Sequence, residues 1–392
     1  MATIIVVDRK ELYNVLKALL LVCTGNNNIR LVTKDTTLLL VSNQDFGFVI
    51  GKVNILEKNE DLDASVVLND IVPCISVLKI KNIEIKIEAE NILIINKEEE
   101  NCYKINKVTH STKVPNFTSR LLMKDVSGQD LIKLSYVCNK ANNIDQFNKV
   151  VFASNGMFAY SYTMGMLIES KCSELKKDLA INEDEIALAG KVLKSIKKSA
   201  DAYAAKEAAY SKDDFLDSLI NGAELLGEKA SSGDDKEAPE YILLDNSNIS
   251  LYLKAEFSNI PNISTIMQNI NRDVEFSIDK DAIDDIFKKY KDLKFGNANS
   301  VMILRGFNID ALEIGIISPD QTRTSDFIKI DCNTELSANI NIALNARDLK
   351  SLLLKEDGVP TCQIDIKNGM FVTNINNKKI ILAKMPEKAW QK

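Results

Sequence analysis

The sequence predicts an α+β protein built from six related units that form three tandem domains, and three observations support this prediction. Six phrases typical of short amphipathic helices recur along the 392-residue chain. Short runs typical of β-strands, separated by hairpin turns, follow most of these phrases. The chain is also too long for one ordinary hydrophobic core, whereas two joined units of about 60 residues each make a domain of common size.

The helix-like phrases recur at a nearly constant distance. They begin near Asp8, Asn69, Ser127, Asp184, Lys280 and Asn345. By subtraction, the starts lie 61, 58, 57, 96 and 65 residues apart, so one interval carries an insertion and the others share a period. A fixed period of this length indicates a repeat architecture. We therefore predict domains over residues 1–118, 119–262 and 263–392.

The insertion, at 199–240, separates the fourth helix from the strands that follow it. Its first part is rich in alanine, which predicts an extension of the fourth helix. Its second part, SSGDDKEAP, has the composition of a flexible link.

The strand-like runs predict antiparallel sheets. They alternate polar and apolar residues or are rich in β-branched residues, and Asn-Gly, Asp-Thr, Glu-Asn and Asn-Asn pairs interrupt them. Such pairs are typical of tight hairpin turns. One helix and about four strands in each unit predict antiparallel sheets with the helices on one face.

The composition narrows the functional class and the compartment. A net charge of −6 argues against a protein that coats nucleic acid with its whole surface. The seven cysteines are spread singly along the chain, which is typical of reduced thiols in the cytoplasm. The sequence has neither a signal peptide nor an apolar run long enough to span a membrane, so we expect a cytoplasmic protein without a membrane partner.

The sequence offers little for catalysis. Its single histidine, His110, lies in a polar stretch before a proline, which is typical of a solvent-exposed loop. The phosphate-binding, dinucleotide-binding and nucleophile-elbow motifs are missing. Pairs of carboxylates such as Asp284 and Asp285 fit a solvated helix face. We therefore predict a protein that is not an enzyme and that holds neither a metal ion nor a cofactor.

Several helices carry basic residues opposite their apolar residues on a helical wheel. The basic positions are Lys10, Lys17, Lys133, Lys140, Lys191, Lys194, Lys198, Lys288 and Arg347. On one helix this pattern indicates only a solvated face. Its repetition in an acidic chain favours a basic face that contacts a polyanion at short range, without reading its sequence.

Four stretches resemble one known family. They are VPNFTSRL at 114–121, LIKLSYVC and the strands after it at 131–170, AEFSNIPNISTIM at 255–267, and IILAKMPEKAW at 380–390. Together with the six units, their order and spacing resemble the bacterial β sliding clamp, the DNA polymerase III β subunit family. The departures from the family's signature turns suggest a divergent clamp, as in phage replication systems.

This resemblance implies an architecture and a function. The three domains would form a curved arc with helices inside and sheets outside, and two chains would close head-to-tail into a dimeric ring. The basic helix faces would surround duplex DNA and bind it without sequence preference. The ring would act as a processivity factor that tethers the replicative polymerase, and a clamp loader would use the same partner site.

The resemblance also implies a pocket for a short hydrophobic peptide of these partners. Carried over by position, its residues are Phe147, Tyr162, Met164, Gly165, Met166, Leu167, Ser258, Asn262, Ile263, Ala383, Met385, Pro386 and Glu387. The run YSYTMGMLI fits an ordinary buried strand equally well.

At the contact between subunits, the resemblance places Tyr103 against the neighbour's Tyr290 and Leu293. Ordinary packing of an edge strand would explain Tyr103 equally well. A competing hypothesis is a non-enzymatic scaffold protein, for example viral, that uses the repeat for assembly and does not bind DNA.

Overall fold

The computed structural model divides the chain into two compact units. Unit 1 comprises Met1–Ile132 and Asp184–Glu256, and unit 2 comprises Lys133–Glu183 and Phe257–Lys392. The predicted partition into three domains stays a prediction. The structure describes residues 3–23, 27–96, 98, 101–109, 120–123, 126–138, 148–170, 175, 178–195, 240–245, 248–258, 270–278, 281–282, 284–285, 288, 301–308, 311–317, 327–332, 340–353 and 356–386.

The structure confirms a helix at each of the six predicted positions. The continuous helices are α1 (Arg9–Val22), α2 (Leu68–Val77), α3 (Gly128–Cys138), α4 (Glu183–Ser195) and α5 (Ala346–Leu353). Residues 281–282, 284–285 and 288 are also helical. Within the described ranges, none of the helices has the length and apolar character needed to cross a membrane. The predicted extension of the fourth helix lies outside the described residues.

Strands make up most of the remaining structure. In chain order they are β1 (Thr3–Asp8), β2 (Asn28–Lys34), β3 (Thr37–Gln44), β4 (Gly47–Lys58), β5 (Asp63–Val67), β6 (Asn82–Ile87), β7 (Asn91–Asn96), β8 (Asn101–Asn106), β9 (Arg120–Met123), β10 (Lys149–Ala153), β11 (Gly156–Tyr160), β12 (Met164–Glu169), β13 (Leu179–Asn182), β14 (Glu240–Asp245), β15 (Ile249–Phe257), β16 (Val274–Ser277), β17 (Val301–Asn308), β18 (Ala311–Ile317), β19 (Ile328–Asp331), β20 (Asn341–Asn345), β21 (Thr361–Asp365), β22 (Met370–Ile375) and β23 (Lys378–Ala383).

The strand pairing repeats along the chain. In unit 1, β1 to β8 form the antiparallel order β8-β7-β6-β1-β4-β3-β2-β5. In unit 2, β16 to β23 reproduce it: β16 pairs with β21, β17 with β18 and β20, β18 with β19, and β22 with β21 and β23. The counterpart of the β1–β4 pair is a single bridge between Phe276 and Cys332. This agreement confirms the repeat predicted from the sequence.

The middle of the chain follows the same pattern with one change. Strand β10 pairs with β11 and β13, and β11 pairs with β12, as β2 pairs with β3 and β5 and β3 with β4. Strand β14 pairs antiparallel with β15 and parallel with β9. Strands β1 and β7 both run antiparallel to β6, so they run parallel to each other. The parallel pairing of β9 with β14 therefore matches β9 to β1, β14 to β7 and β15 to β8.

The predicted turns join the predicted hairpins. Ser154 and Asn155 connect β10 to β11, which begins at Gly156; Asp35 begins the turn from β2 to β3, and Asn376 begins the turn from β22 to β23. Asp35 and Asn376 have φ angles of 48° and 52°. Asparagine and aspartate tolerate this left-handed region better than other side chains do, which explains their selection at these turns.

Helix α1 illustrates how a helix of this chain is fixed to its sheet. The Asp8 side chain accepts a hydrogen bond of 2.9 Å from the Glu11 backbone N–H and so caps the first turn. Leu12, Leu16 and Leu19 are fully buried beneath it. The stripe predicted from the sequence therefore packs against the core, and the opposite face of α1 is left to solvent.

Helices α3 and α4 approach more closely. A Cβ atom added to Gly128 would lie 2.4 Å from the Gly190 carbonyl oxygen, and one added to Gly190 would lie 2.8 Å from the Gly128 carbonyl oxygen. Only glycine at both positions allows the two backbones to touch in this way. This contact fixes the position of the exposed face of α4 relative to the start of α3.

Candidate functional site

The exposed face of α1 carries two of the predicted basic residues. Lys10, Asn14 and Lys17 are exposed, and no acidic side chain separates them along this face. At 1.5 Å of rise per residue, the two lysines lie about 10 Å apart along the helix. Glu11, the acid nearest to them in sequence, is turned inward, where its carboxylate accepts a 3.2 Å hydrogen bond from the Asn54 N–H. This face is therefore positively charged.

Helix α4 carries a second exposed basic pair. Lys191 and Lys194 are exposed, and the Lys194 ammonium donates to the Gln129 side-chain oxygen over 3.0 Å. Ile186, Ala189 and Val192 are buried on the opposite side. A neutral partner leaves the charge of Lys194 uncompensated by this contact. The face remains suited to an anion.

The acidic start of α4 has unusual electrostatics. Burial raises the pKa of Glu185 to about 7; Lys254 opposes this rise, while Glu256 and Asp184 add to it. Near neutral pH this carboxyl is therefore only partly ionised. The negative charge at the start of α4 is reduced accordingly.

The structure contradicts the predicted role of Lys133. Its side chain is 2% exposed and forms a buried ion pair with Glu356, and it also donates to the Leu352 carbonyl oxygen over 2.6 Å. Along α3, every residue is buried or half-buried. Lys133 therefore cannot contact DNA from this helix, because its charge is already neutralised inside the protein.

The other predicted basic residues fall into two groups. Lys288 and Arg347 are helical and exposed, as expected for a residue that contacts an external polyanion. Lys140 and Lys198 lie outside the described residues. The contact of these side chains with DNA stays a prediction.

The predicted partner pocket falls on a junction between two strands of unit 2. Strand β12 pairs antiparallel with β23, so that Gly165 lies opposite Ile381 and Met166 opposite Ile380. The Ala383 N–H extends the pairing by donating to the Thr163 carbonyl oxygen over 2.9 Å. The structure therefore brings the YTMGML segment beside the C-terminal strand, as the resemblance implies.

Met164 and Met166 do not form an open pocket surface. They are 3% and 0% exposed, and strand alternation places them on the face of the sheet opposite Gly165 and Leu167. The buried-strand interpretation therefore applies to both methionines, and their place in a preformed pocket is wrong. Covered on their own side of the sheet, they are core residues.

The other face of the same sheet carries an apolar surface of buried and half-buried residues, of which the sequence analysis predicted only Gly165. Here Gly165 lies between Tyr160 and Ile381 in one row across three strands. Gly165 adds no side chain to this row and is itself buried. Ile270 and Met370 pack beside it against the same buried cluster, which also contains Leu167. We call Tyr160, Gly165, Ile270, Met370 and Ile381 the junction patch.

Two signals could have identified the junction patch in the sequence. A hairpin through YSYTMGMLI pairs Tyr160 with Gly165 across its turn and so puts both on one face. The same alternation puts Ile381 and Ala383 on one face of the last strand. Met370 and Ile270 carry no such signal, because only the fold brings them to this face.

The remaining pocket residues are distributed around this sheet. Met385 packs against a second buried cluster that includes Val301 and Ile303, and its N–H donates to the Ala343 carbonyl oxygen over 2.7 Å. Tyr162 is 65% exposed, Pro386 is exposed, and Ala383 and Ser258 are half-buried. Phe147, Asn262, Ile263 and Glu387 lie outside the described residues.

Two strands lie at the ends of their sheets. Strand β8, which carries half-buried Tyr103, pairs with β7 alone among the described strands. Strand β19 pairs with β18 and is otherwise joined only through the Cys332 bridge that follows it, again within the described residues. Tyr290 and Leu293, the predicted contacts of Tyr103, lie outside the described residues. Edge strands such as these are templates for pairing with another chain.

The described residues contain no group of three or more His, Cys, Asp or Glu side chains placed to hold a metal ion.

No protein-family model and no curated protein sequence matches this chain. Solved structures match it over nearly its whole length. The DNA polymerase sliding clamp from Bacillus subtilis is 10% identical, with a TM-score of 0.70 over 98% of this chain and 100% of that one. The DNA polymerase III β subunit from Thermotoga maritima is 12% identical, with a TM-score of 0.65 over 98% and 99%. The Helicobacter pylori β clamp, solved with a DNA ligase peptide, is 11% identical, with a TM-score of 0.66 over 98% and 100%. At these identities the likeness establishes the fold, and it confirms the predicted resemblance.

Proposed function

We propose that this chain, which has the fold of the bacterial β sliding clamps, is a non-enzymatic DNA sliding clamp. Two copies would close head-to-tail around duplex DNA and tether the replicative polymerase. One observation carries the proposal. The same type of strand junction occurs twice among the described residues, and each of the two strand types that form it has one further member, β8 or β19, at the edge of a sheet. A ring of repeated junctions supplies a topological hold that needs little affinity.

The two internal junctions have the same construction. Strand β4 pairs with β15, and β12 pairs with β23. In each case the first strand corresponds to β4 and the second to β8 in the repeat. Strand β19 is the third counterpart of β4, and β8 is the third strand of the second type. We propose that a third junction forms between copies, with β8 of one chain beside β19 of the next.

The β12–β23 junction supplies a register for the third junction. Ile105 corresponds to Ala383 and Asp331 to Glu169 by their places in their hairpins. Transferring the Met166–Ile380 pair then places Cys102 opposite Ile328 of the second copy. The neighbouring position in this register places Tyr103 opposite Phe327. An aromatic pair at this position supports the register.

The exposed lysines of α1 and α4 supply the contact with DNA. Lys10, Lys17, Lys191 and Lys194 would touch phosphates, which carry no sequence information, so the clamp could slide. The net charge of −6 keeps the rest of the molecule unattractive to DNA.

The junction patch would hold the short hydrophobic peptide of a polymerase or clamp loader. An apolar side chain of the peptide would lie against Tyr160 and Ile381, and the flexible Met370 side chain can adapt to different anchors. The peptide complex of the Helicobacter pylori clamp supports this use of the fold.

Retention on DNA of different topology tests the proposal. A clamp loaded onto a nicked circular plasmid should stay bound in high salt and leave within minutes when a restriction enzyme cuts the circle. Lys191→Glu with Lys194→Glu should reduce loading at least fivefold, whereas Arg272→Glu with Lys367→Glu, an equal charge change at two exposed positions, should not. Equal retention on circular and linear DNA would indicate ordinary electrostatic binding. Assembly without any DNA retention would favour the scaffold hypothesis.

A further inference from the structure

A buried ion cluster lies in unit 2, on the side of the sheet opposite the junction patch. The Glu356 carboxylate accepts one hydrogen bond from Lys133 on α3 and one of 2.7 Å from Lys378 on β23. The side chains of these three residues are 5%, 2% and 13% exposed. The cluster thus brings together a helix, the segment after α5 and the last strand.

The cluster also holds the two helices to each other. The Lys133 ammonium donates to the Leu352 carbonyl oxygen at the C-terminal end of α5, where helix carbonyls lack helical partners. One turn further along α3, the Tyr136 hydroxyl donates to Asp348 over 2.6 Å. Helix α3 is therefore attached to α5 at both ends of α5.

The position of Lys378 connects this cluster to the junction patch. Lys378 lies opposite Ile168 at the start of β23, and the same strand carries Ile381 three residues later. Strand alternation sends Lys378 toward the helices and Ile381 toward the other face. A displacement of Lys378 would move the strand that carries Ile381, and the position of Ile381 in the junction patch depends on where that strand lies.

We propose that Glu356 is a positioning residue for the peptide site, because it fixes β23 from behind through Lys378 while Lys133 fixes Glu356 to α3 and α5. This inference rests on the proposed use of the junction patch. Without Glu356, two buried ammonium groups would be left without their shared carboxylate, and a buried charge that loses its partner moves toward water. The start of β23 would follow Lys378.

Glu356→Gln tests this role, because glutamine keeps the shape but not the charge. A fluorescent peptide with leucine and phenylalanine anchors, chosen for measurable binding to the wild-type chain, should bind at least fivefold more weakly to this variant. Amide exchange should accelerate at Gly165 and Ile381 but stay unchanged in β17 and β18. Asp245→Asn is the matched control, since it breaks the half-buried Lys52–Asp245 pair in unit 1. It should leave peptide affinity and β23 exchange unchanged.

Lys378→Met serves if Glu356→Gln does not fold, because it removes only the strand end of the cluster and leaves the Lys133 pair intact. It should weaken the peptide by about threefold and accelerate exchange in β23. Wild-type affinity and wild-type β23 exchange in either folded variant would overturn the proposal. If the wild-type chain binds no such peptide, the proposed use of the patch fails, and the exchange measurement still decides whether Glu356 positions β23.

Discussion

Helices α1 and α3 begin corresponding units, yet the predicted DNA-contacting lysines of α1 are exposed whereas Lys133 of α3 is buried. On α1, Lys10 and Lys17 are exposed with no acid between them. On α3, no residue from 128 to 138 is exposed, and Lys133 is neutralised inside the protein. The helical wheel draws both lysines of α1 and Lys133 of α3 on the polar side. The polar face of a helix therefore points away from the apolar core beneath that helix, but another element of the protein can still bury it.

The largest expected effect follows from the buried charge on α3. Lys133→Glu would place a second carboxylate beside Glu356 and should destabilise the chain by at least about 3–5 kcal/mol. Urea unfolding followed by circular dichroism measures this change. Lys10→Glu on α1 is the control and should shift the midpoint very little. Equal stability of the two variants would show that Lys133 is not buried as described.

The next effect concerns the contact of α3 with α4. Gly190→Ala should cost about 1–3 kcal/mol, because its Cβ would lie 2.8 Å from the Gly128 carbonyl oxygen and 2.9 Å from the Ile132 side chain. Lys191→Ala, on the exposed side of the same helix, is the control for helix propensity. Thermal unfolding of both variants gives the comparison. A harmless Gly190→Ala would mean that the helices do not touch there.

A smaller effect is expected from α4, whose Glu185 makes the free energy of unfolding depend on pH. The folded pKa of Glu185 is raised to about 7 from 4.5. Its protonated form is therefore favoured by folding, and this contribution is present below pH 4.5 and is lost as the pH rises to about 7. Glu185→Gln should remove this loss. Relative to the wild type, the variant should gain about 1 kcal/mol more stability at pH 8 than at pH 5, after allowance for solvent screening. Parallel stability profiles of the two proteins would contradict the shift.

The smallest effect on stability is expected from the exposed face of α1. Lys10→Glu with Lys17→Glu should change the free energy of unfolding by less than about 0.5 kcal/mol, because surface substitutions remove no packed contact. The same variant should be retained several-fold less on circular DNA, and this loss should shrink as salt is raised. Full retention together with unchanged stability would remove α1 from the DNA-facing surface.

Sequence patterns predicted the repeat because it depends on local signals. The helix starts, the hairpin turns at Asp35, Asn155 and Asn376, and the apolar stripe of α1 are all properties of neighbouring residues. The clamp resemblance followed from their order. These features survive at an identity near 11% because many sequences satisfy the same local rules.

The site was harder to predict because it depends on residues far apart in the chain. Glu356, which neutralises Lys133, lies 223 residues away and gives no sign in the sequence around α3. The resemblance placed Met164 and Met166 in the pocket by position alone, and because both faces of β12 are apolar, only the fold tells which face is open. Met370 reaches the junction patch through pairing with Ala383. Long-range partners, not local patterns, decided these roles.

The most direct test joins the two edge strands covalently around DNA. Replacing Ile328 by cysteine should place a thiol opposite Cys102 of the second copy, at a separation that a disulfide can span. After loading onto nicked circular DNA and oxidation, the account predicts a covalent dimer that stays with the circle in denaturing detergent and is released when the circle is cut. A Cys102→Ser chain should give neither product. A covalent dimer that leaves circular and linear DNA alike, or the absence of any disulfide between β8 and β19, would contradict the ring.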